Sequence, residues 1–462
     1  MSIEGQTIPP GLAQAQQKMR SEGVNSTAID VFGHYYAQLQ QGATGRIPED
    51  SIDPLTDPPA LADVQIDGTA ARAALAKTAM IKLNGGLGTS MGMSKAKSLV
   101  PVREGKSFLD IDVRQVLAAR RRHGVRLPLV LMNSFNTSQD TLAALAAYPE
   151  LAVADLPLEF MQSQAPKLLV DGLTPASWPQ EPSLEWCPPG HGDIYPSLLA
   201  SGVLDALLDA GFEYASVSNS DNLGASPNAT LAGWFAASGA PYAAEVCRRT
   251  AMDRKGGHLA VRKSDGRLIL RETAQTSAEE MHYFTDEHRH PYFHTNNLWF
   301  NLRTLREVLG ERGGVLGLPM ILNAKTLDPR DPQSPPVYQI ETAMGAAVEV
   351  FPGAQAIAVP RGRFRPVKTT NDLLLLRSDV YDLDADDLIV QQVDEAPVIS
   401  LGPAYRTIDD FEARFPQGAP SLLKAGSLTV DGDWTFEPGT VVEGNVHLPD
   451  EGVRTVGGRL HG

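Results

Sequence analysis

Residues 79–92 read Ala-Met-Ile-Lys-Leu-Asn-Gly-Gly-Leu-Gly-Thr-Ser-Met-Gly, an apolar run that passes into glycines. Ala79 to Leu83 is a short apolar run, the pattern of a buried strand. Gly85, Gly86 and Gly88 follow it directly, and Lys97 comes after. Glycine lets backbone amides approach a ligand closely, and successive N–H groups pointing one way make a nest for phosphate oxygens. Lys97 can reach the same phosphates as a mobile point charge. Taken alone, the pattern also fits a tight turn that binds nothing. Two familiar phosphate motifs are excluded by spacing. Gly-x-Gly-x-x-Gly is absent, and Gly105-Lys106-Ser107 lacks the leading glycine of a P-loop, which would fall on Val100.

Outward from this strand the chain alternates apolar runs with amphipathic stretches. Leu127 to Met132 and Tyr214 to Ser218 read as further buried strands. A helix is predicted from Ser107, with Asp110 at the capping-box position and Leu109, Val113, Val116 and Leu117 on one side. Strand–helix alternation implies an α/β fold with a mostly parallel sheet, whose ligands sit at the carboxyl ends of the strands. Before it, residues 1–70 form an arm. Ile29, Val31, Phe32, Tyr35, Tyr36 and Leu39 recur near helical spacing, and Pro48, Pro54, Pro58 and Pro59 then break the pattern. Residues 71–385 are expected to make the α/β domain. In 386–462, short β-favouring runs within Ser427 to Leu448 are broken by Asp-Gly, Pro-Gly and Glu-Gly, as in coils of a parallel β-helix.

Composition narrows the function classes. The chain has 462 residues, 40 basic and 55 acidic, for a formal net charge of −15. Nucleic acid or an anionic membrane as main partner would call for a basic surface. Cys187 and Cys247 have no metal-like spacing and read as reduced thiols. The stretch Met1 to Gln17 lacks a secretory pattern, and no run of 18 apolar residues occurs, so a cytoplasmic protein is expected.

Four more segments bear on chemistry. Gly190 and Gly192 flank His191, which puts an imidazole on a bare loop. Asn219, Ser220, Asp221 and Asn222 end a β-type run, where a carboxylate suits a hard cation and the same residues suit a self-capping turn. His294-Thr-Asn-Asn-Leu-Trp299 gathers neutral amides that match sugar hydroxyls, or else a polar turn ahead of a strand. Arg361, Arg363, Arg365 and Lys368 alternate, as in an anion site or a solvated charged strand. His282, His288, His290 and His294 fit no helix face and have no cysteine nearby, so surface or packing roles are preferred over zinc.

Taken in order, KLNGGLGTSMG with Lys97, FLDI, PLVLMNSFNT, PPGHGDIYPSL, VSNSDNLGA, TNNLWFNL, QIETAMGAAVEVF and RFRPVKTTNDLLLLRSDVY resemble the eukaryotic-type UTP–glucose-1-phosphate uridylyltransferase family. The resemblance runs from about Phe32 to Tyr381. It implies a nucleotidyltransferase, Rossmann-like central mixed sheet flanked by helices and a small C-terminal left-handed β-helix. It implies synthesis of UDP-glucose and pyrophosphate from UTP and glucose 1-phosphate, with Mg²⁺ as cofactor and an oligomer left open. Leu83, Asn84, Gly85 and Gly86 match the family's nucleotide loop. Lys97 and Lys368 match lysines on the phosphates, and Gln162 matches a reader of uracil. Gly190 matches a nucleotide contact and Asp221 the metal ligand. His191, Asn219, Ser220, Asn296 and Asn297 match sugar-phosphate positions. His294 stands where many members have asparagine. The nearest rivals are UDP-N-acetylhexosamine and UDP-sugar pyrophosphorylases, and a sensor that binds sugar nucleotides without turnover.

Overall fold

The computed structural model describes residues 8–250 and 253–462, so the first seven residues of the N-terminal reading lie outside it. The chain divides into two compact units, each built from three stretches. The first holds the stretch ending at Ile81 with Ala154–Val217 and Ala229–Val359. The second holds Lys82–Val153, Ser218–Asn228 and Pro360–Gly462. Two strands cross the division along the chain. Thr78–Leu83 leaves Lys82 and Leu83 in the second unit, and Tyr214–Asn219 leaves Ser218 and Asn219 there.

In the first unit the sheet is organised around the long strand Tyr292–Asn301. Tyr242–Arg248 pairs antiparallel on one side of it and Tyr214–Val217 antiparallel on the other. Gln355–Ala358 adds a parallel strand next to Tyr242–Arg248. The strand His258–Arg262 has three antiparallel neighbours: Leu268–Arg271, Ile52–Pro54 and, where His258 faces Phe293, the long strand itself. Strand–helix alternation predicts mostly parallel pairing, and here the sheet is mixed. One antiparallel pair has a local cause, since His258–Arg262 returns to Leu268–Arg271 through a tight turn, and Tyr292–Asn301 adds two more by running against both of its flanking strands.

The arm's helical reading is met by the helix Ser26–Gln40, capped by Asn25, whose side chain accepts the Ala28 N–H at 2.8 Å. Ile29, Phe32, Tyr35, Tyr36 and Leu39 are buried and share a core with Ala165, Leu168, Met320 and Ile340, while Val31 is only half-buried. Tyr35 keeps its hydroxyl satisfied by donating to the Leu318 carbonyl at 2.9 Å.

In the second unit, the helix Phe108–His123 starts at Ser107 with the full capping box and stops at Gly124, which takes the left-handed conformation at φ 61°. Leu109, Val113 and Val116 are buried, as the spacing predicts. The C-terminal segment forms parallel ladders. Val398–Leu401, Ser421–Val430, Val441–Leu448 and Arg459–His461 stack in that order, and Trp434–Phe436 pairs parallel with Arg454–Val456. Leu428, Val430, Val442 and Val446 point inward and join a core containing Phe108, Ile111, Leu373 and Val380. The C-terminal ladders therefore share one apolar interior with the rest of their unit.

Among the described residues, no helix is long and apolar enough to cross a membrane. His282 and His288 are exposed, and His290 is buried with its ring stacked on His258 at 3.8 Å. No cluster of three or more His, Cys, Asp or Glu side chains suited to a metal occurs among the described residues.

Candidate active site

The phosphate-side candidates belong to the second unit and meet at one lysine. Lys97 opens a short turn, Lys97–Leu99, and its backbone N–H donates to the Gly86 carbonyl at 3.1 Å. Its ammonium lies 2.5 Å from Asp221 Oδ2 and also donates to the Val367 carbonyl. Val367 directly precedes Lys368, so these bonds draw the glycine loop, the aspartate and the second lysine's backbone together. Both partners of the ion pair are partly open, at 16% and 17% exposure, which leaves room for exchange with a ligand.

Asn84 has a structural duty as well as its place in the loop. It is buried, its side-chain amide donates to Asn133 Oδ1 at 2.7 Å and Thr141 Oγ1 at 2.9 Å, and its carbonyl oxygen accepts the Ser220 hydroxyl at 3.0 Å. Its backbone N–H is taken by the Met132 carbonyl at 2.8 Å. Ser220 in turn donates its backbone N–H to Leu83 at 3.0 Å. This network ties the loop to the Asn219–Asn222 turn. Gly86, by contrast, is exposed, and a Cβ there would meet nothing. The positive φ in the stretch falls on Gly88 and Gly92, at 66° and 70°, which flank the short turn Thr89–Met91.

The basic run does not line up as one charged face. Arg361–Arg363 is a short turn, and Arg363 is buried, donating to the Ser226 carbonyl at 2.8 Å. The Arg365 guanidinium lies over the Tyr381 ring at 4.3 Å. A proline on either side, Pro360 and Pro366, removes the ladder donors a strand needs. Lys368 remains exposed just before the helix Thr370–Arg377. Asp372 fixes it there by accepting the backbone N–H groups of Lys368 and Thr369, both at 2.8 Å. Spacing did not single out Asp372, although Thr369 and Asp372 carry the capping-box pattern.

The first unit carries the remaining candidates. Gly190 sits at φ 81°, and a Cβ there would lie 2.4 Å from the Thr342 carbonyl oxygen, so only glycine fits. Gln162 donates to the Gly190 carbonyl at 3.3 Å. The loop is braced by Asp193, which accepts from Ser163 N–H at 2.7 Å, Ser163 Oγ at 2.5 Å and Ser197 Oγ at 2.7 Å. Burial lowers the His191 pKa to about 4, so the ring is neutral at pH 7. Its Nδ1 accepts the Met344 N–H at 2.9 Å. The proton therefore sits on Nε2, and His191 presents a hydrogen-bond donor.

The amide segment is no turn ahead of a strand, as spacing allows, but lies within the strand Tyr292–Asn301. The pairing with Tyr242–Arg248 slips there. Ala244 faces Leu298 and Val246 faces His294, so Thr295, Asn296 and Asn297 bulge opposite the single residue Glu245. Asn296 takes the left-handed conformation at φ 58°, one of the few residue types that does so readily. Glu245, fully buried, is the residue that sequence reasoning missed. Its carboxylate accepts from Asn297 Nδ2 at 3.2 Å and Trp299 Nε1 at 3.0 Å, and its carbonyl accepts from Thr295 Oγ1 at 2.7 Å. A lone glutamate within YAAEVCR gives no signal beyond one charge inside an otherwise apolar strand. His294 is buried, burial lowers its pKa to about 4, and its Nδ1 accepts the Asn296 N–H at 3.0 Å.

Whether a divalent cation suits Asp221 can be judged from its second oxygen. Asp221 Oδ1 is buried and has no hydrogen-bond partner among the described residues. An unsatisfied carboxylate oxygen beside a phosphate-type loop fits a hard cation held by one or two carboxylates plus substrate oxygens.

Known proteins resemble the chain over nearly its whole length. The model of the family described as UTP–glucose-1-phosphate uridylyltransferase matches residues 29–443. The UTP–glucose-1-phosphate uridylyltransferase of Hordeum vulgare is 39% identical over 453 residues, covering 95% of this chain and 92% of the relative. A single-residue variant of Leishmania major UDP-glucose pyrophosphorylase, solved in complex with UDP-glucose, superposes with a TM-score of 0.91 at 40% identity, covering 98% of this chain and 99% of that one. UDP-glucose phosphorylase of Trypanosoma brucei gives 0.88 at 41% identity, covering 97% of both chains. With its glycine loop, lysine–aspartate pair and bulged amide strand in place, the chain belongs to the UTP–glucose-1-phosphate uridylyltransferase family.

Proposed function

We propose that the chain transfers the uridylyl group of UTP to glucose 1-phosphate, giving UDP-glucose and pyrophosphate by in-line attack on the α-phosphate. A phosphate oxygen of glucose 1-phosphate forms the new bond to the α-phosphorus as the bond to pyrophosphate breaks. That oxygen is anionic near neutral pH, because the second pKa of a phosphate monoester is about 6, so no general base is required. The chemical problem is gathering negative charge. The observation that carries the reading is the Lys97–Asp221 pair at the end of a strand, joined to the residue before Lys368. Lys97 and Lys368 supply positive charge to the phosphates and to the leaving pyrophosphate. Mg²⁺, when bound by Asp221 and phosphate oxygens, would neutralise further charge on those phosphates.

Backbone of Leu83, Asn84, Gly85 and Gly86 frames the nucleotide phosphates, with Gly86 offering the open face. Gln162 and the Gly190 backbone read uracil. His191 donates from Nε2 to the sugar phosphate, and Asn219 and Ser220 lie on the same substrate. Asn296 and Asn297 pair with glucose hydroxyls, and Glu245 orients Asn297. The functional division follows 1–70 as arm, 71–385 as catalytic domain and 386–462 as a left-handed β-helix, and the parallel pairing of strands in the last segment supports its coiling. A cytoplasmic location fits a chain whose Cys187 and Cys247 form no disulfide.

The direct experiment is pyrophosphate release from UTP with glucose 1-phosphate or N-acetylglucosamine 1-phosphate, with Mg²⁺ and with a chelator. Metal-dependent release with the glucose ester is expected. Release mainly with the N-acetyl ester would move the sugar assignment. UTP binding without release from any ester would favour a sensor.

A further inference from the structure

The second unit contains a buried ion pair that the mechanism above does not use. Lys82, the last strand residue but one before the glycine loop, lies 2.9 Å from Asp112 on the helix Phe108–His123. Their side chains are 2% and 1% exposed. Lys82 compensates the Asp112 charge at Oδ1, while Asp112 Oδ2 is buried and has no hydrogen-bond partner among the described residues. A buried carboxylate ordinarily has its oxygens satisfied, because a bare one loses its hydration with nothing in exchange.

The bare oxygens are not scattered through this unit. Asp221 Oδ1 and Ser218 Oγ are buried and unpartnered, as are Ser98 Oγ and Gln115 Oε1. Ser98 adjoins Lys97, whose ammonium holds Asp221, and the turn Lys97–Leu99 packs on the helix that carries Asp112. Gln115 is one turn along from Asp112 and donates to the Leu223 carbonyl at 3.2 Å, two residues beyond Asp221. Lys82 itself donates to the Ala225 carbonyl at 3.3 Å. The same helix and strand that bury Asp112 thus hold the backbone of the Asp221 turn from two sides. Beyond the two lysines, these hydroxyl, amide and carboxylate oxygens have no hydrogen-bond partner among the described residues, and ordered water is the usual donor in such a place.

We propose that Asp112 is a positioning residue for the cation at Asp221. It accepts hydrogen bonds from water on that cation, with Lys82 as its counter-charge. The inference rests on the reading of Asp221 as metal ligand. It adds a negative group behind the ligand, the arrangement that orients bound water and raises a site's affinity for its metal. A purely architectural ion pair would instead hold helix to strand and leave the cation indifferent.

The test is Mn²⁺ affinity of the full chain with UTP, followed by electron paramagnetic resonance, beside UTP binding measured in chelator. Asp112→Asn leaves Lys82 uncompensated and risks misfolding, so the deciding variant is Lys82→Met with Asp112→Asn, which removes both charges. Its melting temperature is checked first. Expected is an affinity for Mn²⁺ at least tenfold weaker, UTP binding in chelator unchanged, and partial recovery in Asp112→Glu. A folded double variant binding Mn²⁺ within twofold of wild type would overturn the proposal. Asp221→Asn separates the two levels. If it too leaves Mn²⁺ affinity unchanged, the metal-ligand reading fails and takes this inference with it. If it abolishes binding while the double variant does not, only the role of Asp112 fails.

Discussion

Lys97 Nζ lies 2.5 Å from Asp221 Oδ2, so the lysine meant for substrate phosphates rests on the carboxylate meant for the cation. The two roles are therefore in competition. When phosphates arrive, the ammonium can move to them and release the carboxylate. This exchange keeps both charges compensated before and after binding, which limits the cost of holding them out of bulk water.

The first prediction follows from that competition. Lys97→Met should lower kcat by about 10²–10³-fold, the usual loss when one preorganised charge is removed from a transition state. It should also lower the Mg²⁺ concentration needed for half-maximal rate, because nothing then competes for Asp221. Steady-state pyrophosphate release across a Mg²⁺ series measures both. A rise in the half-saturating Mg²⁺ would show that Lys97 helps the cation rather than displacing it.

A second prediction concerns Lys368 and the residue that places it. Lys368 is exposed, and its backbone is fixed by Asp372 at 2.8 Å. Lys368→Ala should cost kcat on the scale of Lys97→Met while leaving folding intact, since the side chain has no buried surroundings to disturb. Asp372→Ala should give a smaller loss in kcat together with a lower melting temperature, because a helix cap worth about 1 kcal/mol goes with it. Near wild-type turnover in folded Lys368→Ala would remove that lysine from the chemistry.

The glycine stretch, the Ser107 cap and the β-coils were legible because each follows from local rules. A strand run ends where glycines begin, Ser107 and Asp110 stand at capping distance, and turn pairs punctuate short β runs. What could not be read depended on partners far along the chain. The bulge at Thr295–Asn297 exists because Glu245 sits opposite it, some fifty residues earlier, and single-strand alternation gives no hint of that slip. Arg363 is buried because a carbonyl on the Ser218–Asn228 stretch receives it, so a run that looks like a solvated strand becomes a turn. Asn84 shows the reverse: its place in a nucleotide-type loop was plain, but its internal network with Asn133, Thr141 and Ser220 was not.

Base selection supplies the third prediction. Uracil presents an acceptor–donor–acceptor edge, which an amide can match and which cytosine does not present. Gln162 is only half-buried, and its amide already leans on the Gly190 carbonyl at 3.3 Å, so it is pre-set rather than free to rotate. Gln162→Ala should reduce the preference for UTP over CTP in kcat/KM by about 5–150-fold, the equivalent of about 1–3 kcal/mol. Competition assays with both nucleotides measure the ratio. An unchanged ratio would leave uracil reading to the backbone alone.

The last prediction uses pH. His294 is buried, and its folded pKa is lowered by burial to about 4 from 6.5. The unfolded chain therefore binds this proton more readily between pH 6.5 and 4. Stability from the neutral ring is fully present above pH 6.5 and is lost as pH falls toward 4, by about 3 kcal/mol at the lower end. Buried carboxylates oppose this trend, since burial raises Asp193 to about 6 and Glu349 to about 7, so the whole-protein profile mixes signs. His294→Asn isolates the imidazole. The variant's melting temperature should lie at or below that of wild type at pH 7, where a well-packed ring is lost. The difference should shrink or reverse by pH 5, because only wild type then has to keep a buried imidazole unprotonated. Differences that stay constant from pH 7 to 5 would mean that His294 is hydrated enough in the folded chain to titrate normally.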